Sequence, residues 1–353
     1  MSLQEHFINF NKKIHINQST RDSLKDKRRV LTSILSDTEG IPEFTAFNQG
    51  SYGMYLGVEP ITGSDGKKRE YDIDVALRFS ENKDDWNPLD IKKKIRDALD
   101  GHTEYGAAIK KPCVTVTYKK DDRPAYHVDV VPYMYEDPDD ENSQMYVAKG
   151  KVSSSDEEIK WEKADPQALV DYINDTVDQG EERDQFRRIV RYLKRWKHLK
   201  FSPSGHEEPA SIGITLIVLE HFDYQDGDDL QALINAVESI QNEFVFNKLA
   251  DDGSLMYKIS YSMPSSLRFE PGNNLFDKMS EVYMNSFKQK IDKLADDLKA
   301  VQDEPDEIEQ CKKLQKIFGE DFEVPEAAEV SKQQRYTYIP RTSSSGDTDD
   351  QEV

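Results

Sequence analysis

Cysteine is nearly absent from this chain of 353 residues. Cys113 and Cys311 stand far apart and match no metal-ligand spacing, so neither a disulfide framework nor a zinc ribbon is expected, and both read as small buried thiols. Basic residues are in deficit. Lys and Arg number 47 against 68 Asp and Glu, a net charge of −21, which leaves no general basic surface to hold a long nucleic acid by counterion release. A local basic patch can still hold small phosphates. Long apolar runs are missing too. The opening "MSLQEHFINFNKK" has no apolar core of a leader, and no run approaches the roughly 18 apolar residues of a membrane span. The expectation is a soluble, cytoplasmic chain, long enough for two modest domains.

What is present is organised in two halves. A helix is predicted over Ser19–Leu35, with Leu24, Leu31, Ile34 and Leu35 on one face. "YDIDVALRF" alternates: Ile73, Val75, Leu77 and Phe79 point one way, Asp72, Asp74 and Ala76 the other. "LDIKKKIRDAL" reads as a helix, and "CVTVTY" and "AYHVDVVPYMY" as two further strands about a polar turn. After Pro138 the composition turns loop-like, and from Asp165 the helical period dominates. Helices are predicted over Gln167–Asp178, Glu182–Lys200, Ser211–Phe222, near Asp277–Val301 and over Asp306–Phe318. The fold class is therefore α+β: a mixed-sheet lobe over 1–150, an all-helical lobe over 151–325, and a tail over 326–353 too polar at its end to pack.

The chemistry gathers around "FNQGSYGMYLG". Gly50 and Gly53 permit close backbone approach, Ser51 offers a hydroxyl, and the N–H groups of such a turn can cradle phosphates. Just beyond it, Asp72 and Asp74 lie side by side on one strand face, and Asp129 supplies a third carboxylate from another strand. Adjacent carboxylates repel, and both stay ionised when a cation lies between them. An oxygen-only site of this kind suits Mg²⁺, with Mn²⁺ serving as well, and Mg²⁺ completes its shell with waters and substrate phosphates. A lone Asp-x-Asp is common on exposed strand faces. Turn, pair and third carboxylate in this order point to nucleotide chemistry.

These residues resemble the nucleotidyltransferase superfamily of DNA polymerase β type, and more closely the CD-NTases, bacterial relatives of cyclic GMP–AMP synthase in CBASS anti-phage systems. "WEKADPQALVDYINDT", "FRRIVRYLKRWK" and "PASIGITL" are similar to linked segments of the bacterial dinucleotide cyclases, and the resemblance covers roughly Phe44–Phe222. It implies a polymerase β-like first lobe and a synthase that joins NTPs, ATP among them, into a cyclic di- or trinucleotide. It implies two Mg²⁺ ions on Asp72, Asp74 and Asp129, with Asp129 as or beside the general base. Gln49, Gly50 and Ser51 would hold the triphosphate from one side, Lys194 and Ser211 from the other. Arg187, Arg191, Lys194 and Arg195 would form a basic clamp face, with Lys197 one turn too far. Where close relatives stack bases on aromatics, this chain has Met54 and Ile212, with Tyr52 and Tyr133 as candidate substitutes. "VEPITGSDGKKRE" reads as an extended hairpin. The tail raises a ubiquitin-transfer-like or other regulatory protein as partner. A template-independent transferase acting on RNA 3′ ends or on a protein, and a non-catalytic nucleotide-binding protein, remain open alternatives.

Overall fold

The structure, a computed structural model, describes residues 2–326 other than 64, 65, 67–70, 121, 122, 141 and 204; for 71, 72, 119, 120 and 123–125 it describes the backbone. The hairpin reading of residues 58–70 falls in part, and the tail reading of 326–353 in all but its first residue, outside the described residues.

Two helices open the chain, α1 (Leu3–Ile14) and α2 (Gln18–Ser36). The first, unforeseen as a separate helix, starts on a capping box in which Ser2 and Glu5 satisfy each other's backbone N–H groups. β1 (Phe44–Gln49) leads into a single turn, α3 (Gly50–Gly53), and on to β2 (Tyr71–Asn82). After α4 (Pro88–Leu99) come β3 (Ala107–Ile109), β4 (Val114–Lys120), β5 (Arg123–Tyr135), β6 (Met145–Ala148) and β7 (Trp161–Ala164). Among the described residues these strands form one sheet in the order β1-β2-β5-β4-β3, with β6 and β7 continuing from β5. The central pair β2–β5 is parallel; the other pairings in the sheet are antiparallel. The sheet thus runs on to Ala164, past the expected division at 150.

Strand alternation decides which face is core. Ile73, Val75, Leu77 and Phe79 of β2 and Val128 and Val130 of β5 are buried against Leu24, Leu31 and Leu35 of α2 and Ile91, Ile95 and Leu99 of α4. Their neighbours on the opposite face, Asp74, Ala76, Asp129, Val131 and Tyr133, turn toward the second lobe.

That lobe is helical: α5 (Pro166–Asp175), α6 (Glu181–Lys200), α7 (Ser211–Glu220), α8 (Asp229–Asn242), α9 (Glu281–Gln302) and α10 (Glu307–Phe318), with a small hairpin of β8 (Val245–Leu249) and β9 (Leu255–Lys258). Its core takes in Phe186, Ile189, Leu193 and Trp196 of α6 and almost all of α7. It also takes in α1. Phe7, Phe10 and Ile14 pack among Tyr192, Phe318 and Phe322, so the first helix belongs by packing to the second lobe rather than to 1–150. A buried network fastens it there: Arg188 grips Asp229 through Nε (2.8 Å) and Nη2 (2.9 Å), and Gln4 reaches the same carboxylate. Among the described residues no helix is long and apolar enough to cross a membrane.

Candidate active site

The glycine-serine turn is shaped by its contact with Asp74. Gly50 has φ +61°, and a Cβ placed on it would lie 2.0 Å from Asp74 Oδ2. At Gly53 an added Cβ would meet the Asn48 carbonyl oxygen at 2.8 Å. The backbone therefore lies directly on the carboxylate, which no other residue at position 50 allows. Asn174 of α5 donates to the Gly53 carbonyl at 3.1 Å, so the helical lobe holds the turn from behind. Gln49, buried, accepts a hydrogen bond from the Tyr133 hydroxyl at 2.8 Å.

Strand register brings the carboxylates together. Gln49 pairs with Asp74, Asp74 with Asp129, and Asp129 with Thr115, one row across four strands. The next row pairs Asp72 with His127 and His127 with Thr117. The side chain of Asp72 lies outside the described residues; its backbone is two positions from Asp74 on the same strand. Thr115 donates to Asp129 Oδ1 at 2.5 Å, and Thr117 meets His127 Nδ1 at 3.0 Å. Among the described side chains no three carboxylate, His or Cys groups close on one point. Asp74 and Asp129, directly opposite on adjacent strands, are nonetheless the donors a hard divalent cation takes, and Gly50 keeps the space beside Asp74 free of a side chain. These residues fit such an ion. Burial, reinforced by the charge of Asp129, pushes the Cys113 thiol up to about 12, so it stays protonated beside them.

The opposite wall comes from α6 and the start of α7. Lys194 donates to the Leu56 carbonyl at 2.8 Å, and burial, with Lys197 and Arg191 nearby, brings its amine down to about 7. Lys197, expected to lie beyond the clamp, is the lysine that reaches Ser211, at 2.5 Å from its hydroxyl, and it also pairs with Glu208. Lys194, Lys197, His198, Glu208 and Ser211 face Gln49, Gly50, Ser51 and Asp74 across a cleft of about 840 Å³, within the range of roughly 300–1,000 Å³ for small-molecule sites. A second pocket of about 280 Å³ opens on Asp129, Cys113 and Lys149, and shares Gln49, Asp74, Tyr133 and Phe269 with the first. Asp74 stands where the pockets meet, and Asp129 beside it opens on the smaller one.

The basic clamp face needs correction. Arg187 bonds to Asn174 and covers the Tyr55 ring at 4.8 Å, Arg191 bonds to Asn11 and the Tyr55 carbonyl, and Arg195, fully buried, pairs with Asp321 at 3.5 Å. The three arginines bolt α1, the 55–56 loop and the end of the helical lobe to α6; none lines the cleft. Of the two substitute aromatics, one differs from expectation. Tyr52 packs into the sheet core, whereas Tyr133, bonded to Gln49, lines both pockets, and Met54 and Ile212 line the cleft. The second aromatic shared by both pockets is Phe269, in a segment without a periodic signal. Thr115 was within reach of sequence reasoning: in "CVTVTY" it lies on the face opposite Val114 and Val116, and the turn to β5 carries that face to Asp129.

Sheet order, turn and cleft are those of a nucleotidyltransferase with a polymerase β-like lobe followed by helices. Residues 1–176 match the family model described as Second Messenger Oligonucleotide or Dinucleotide Synthetase domain. Residues 1–176 are thus a nucleotidyltransferase domain of that family, and the fold of the chain is that of the CD-NTases. A cyclic GMP-AMP synthase of Escherichia albertii is 22% identical over 253 residues, covering 68% of this chain; the chain spans about half (50%) of that relative's length. The CD-NTase CdnG of Bradyrhizobium diazoefficiens, solved with GTP, superposes with a TM-score of 0.65 at 12% identity, over 91% of this chain and 97% of that one. DncV of Vibrio cholerae, a cyclic AMP-GMP synthase, gives a TM-score of 0.65 at 15% identity, over 91% and 97%. At these identities the likeness is one of fold.

Proposed function

We propose that the chain joins NTPs, ATP among them, through successive phosphodiester bonds into a cyclic di- or trinucleotide, acting in the cytoplasm in anti-phage signalling. The observation that carries this reading is the pair of adjoining pockets: Asp74, with the Gly50–Ser51 turn folded onto it, lines both, Asp129 in register with it lines the smaller, and Lys194, Lys197 and Ser211 line the larger from the other side. Asp72, Asp74 and Asp129 would hold divalent ions, Mg²⁺ by preference, which neutralise phosphate charge and acidify a hydroxyl when bound.

The chain's own part is positional and electrostatic. Gln49, Gly50 and Ser51 bind the triphosphate from the sheet side. Lys194 and Lys197 meet it from α6, with Ser211 beside them. The smaller pocket takes the acceptor ribose, whose hydroxyl oxygen bonds to the α-phosphorus as the bond to the pyrophosphate oxygen breaks. Asp129, which lines that pocket, accepts the hydroxyl proton, and pyrophosphate leaves. A regulatory protein, ubiquitin-transfer-like or other, is the partner we assign to the tail beyond residue 326.

The test is incubation with four labelled NTPs and Mg²⁺ or Mn²⁺, then phosphatase and mass spectrometry. A phosphatase-resistant cyclic product is expected. Labelled extension of an added RNA primer with no cyclic product would favour a terminal transferase instead, and no incorporation under any condition would overturn the reading.

A further inference from the structure

Asp129 does not stand alone on its strand. Thr115, directly opposite it in the β4–β5 ladder and 2% exposed, donates its hydroxyl to Oδ1 at 2.5 Å. The buried Sγ of Cys113 stands 3.6 Å from that hydroxyl and interacts with Asp129 as well, so protein packs closely around the pair. A β-branched side chain in a strand has few rotamers, and directly opposite residues of an antiparallel pair are held within a few ångströms. The hydroxyl is therefore aimed by the fold. A hydrogen bond to one carboxylate oxygen sets the carboxylate plane and leaves the second oxygen for other work.

We propose that Thr115 is the positioning residue of Asp129: it engages Oδ1, fixes the carboxylate plane, and thereby presents Oδ2 toward the acceptor side of the cleft. The inference rests on the role given to Asp129 under the proposed function. Thr115 lines neither pocket; it acts through the carboxylate. Groups that orient a ligating or catalytic side chain are commonly worth about ten- to a hundred-fold in metal affinity or activity when removed.

The experiment compares Thr115→Val, which replaces the hydroxyl by a methyl, with Thr115→Ser, which keeps it, in the full chain. NTP turnover is measured alongside Mn²⁺ binding followed by paramagnetic resonance. Thr115→Val is expected to lower kcat about ten- to a hundred-fold with KM within about twofold, and to weaken Mn²⁺ binding several-fold. Thr115→Ser should stay within about threefold of the parent in both readouts. A parental kcat for the valine variant, equal losses in both variants, or a loss confined to KM overturns the proposal. If the parent itself turns over no NTP, the functional reading has failed and Mn²⁺ binding decides alone: weakening by valine but not by serine upholds the positioning role, and no difference rejects it. Should Thr115→Val not fold, Thr115→Cys takes its place with the same expectations, since a thiol is a much weaker donor.

Discussion

Replacing Gly50 by alanine tests the contact between turn and carboxylate directly. At φ +61° a non-glycine residue costs about 1–2 kcal/mol in the left-handed region. The new methyl would also sit 2.0 Å from Asp74 Oδ2 and 3.0 Å from its Cγ, and relieving such an overlap costs a further ~1–3 kcal/mol. Cutting Asp74 back to alanine removes both atoms and leaves its Cβ at 3.4 Å, an ordinary contact. Gly50→Ala should therefore destabilise the parent by about 2–5 kcal/mol but the Asp74→Ala variant by only ~1–2 kcal/mol. The coupling of about 1–3 kcal/mol is read from a double-mutant cycle of urea unfolding, provided the slopes agree. In the single Gly50→Ala variant the displaced carboxylate should also lower NTP turnover at least about a hundred-fold. Equal costs in the two backgrounds, within about 0.5 kcal/mol, would refute the claim that backbone and carboxylate share this space.

Asp72→Asn with Asp74→Asn should abolish turnover while the metal-free protein unfolds at the same temperature or higher, since repelling charges are removed; parental turnover would dissolve the metal assignment. Lys194→Ala should weaken NTP use by roughly ten- to a hundred-fold, the cost of a charge-assisted contact. Lys197→Ala should match or exceed it, because it loses both a cleft charge and the anchor of Ser211; kinetics ranking Lys197 as silent would return the clamp to Lys194 alone. Glu208→Gln removes the carboxylate that competes with phosphate for Lys197, so KM for NTP should fall several-fold, and an unchanged KM would count against the shared cleft. The amine of Lys194 sits at about 7 when folded against 10.5 ordinarily, so between these values the unfolded chain binds a proton the folded one lacks. From this group, apo stability is lowest below about pH 7 and rises toward 10.5. Triphosphate restores the charge, so NTP binding above about pH 7 should take up a proton, seen as a buffer-dependent heat in calorimetry; a buffer-independent heat rejects the coupling.

Local order was legible where it repeats. The period of two in "YDIDVALRF" separated core from cleft face correctly, because a half-buried strand leaves no other assignment for Ile73 and Val75. The spacing of Phe186, Ile189, Leu193 and Trp196 likewise marked the buried stripe of α6. The other side of that helix misled, because arginine carries the same charge whether it meets a phosphate or a carbonyl. Only tertiary structure shows Arg191 occupied by Tyr55 and Asn11. Lys197 was undervalued for a similar reason: a helical wheel places it, but the loop that brings Glu208 and Ser211 to it has no period. Helix α8 went unassigned although Leu230, Leu233, Val237 and Ile240 space it plainly. Phe269 is legible only once both lobes are in place.

Helix α1 lies inside the segment that matches the family, yet the helices it packs on, α6, α8 and α10, lie outside that segment. Phe7 and Phe10 meet Tyr192, Phe318 and Phe322, and Gln4 answers to Asp229. A fragment ending at residue 176 would therefore carry an apolar helix with nothing to close against, and should aggregate or fray rather than fold. The chain starts in one lobe, crosses to build the other, and crosses back. Its two walls are laced together behind the cleft by their own opening residues, and an isolated bridge between His15 and Val58 ties the α1–α2 junction to the loop leading out of the turn.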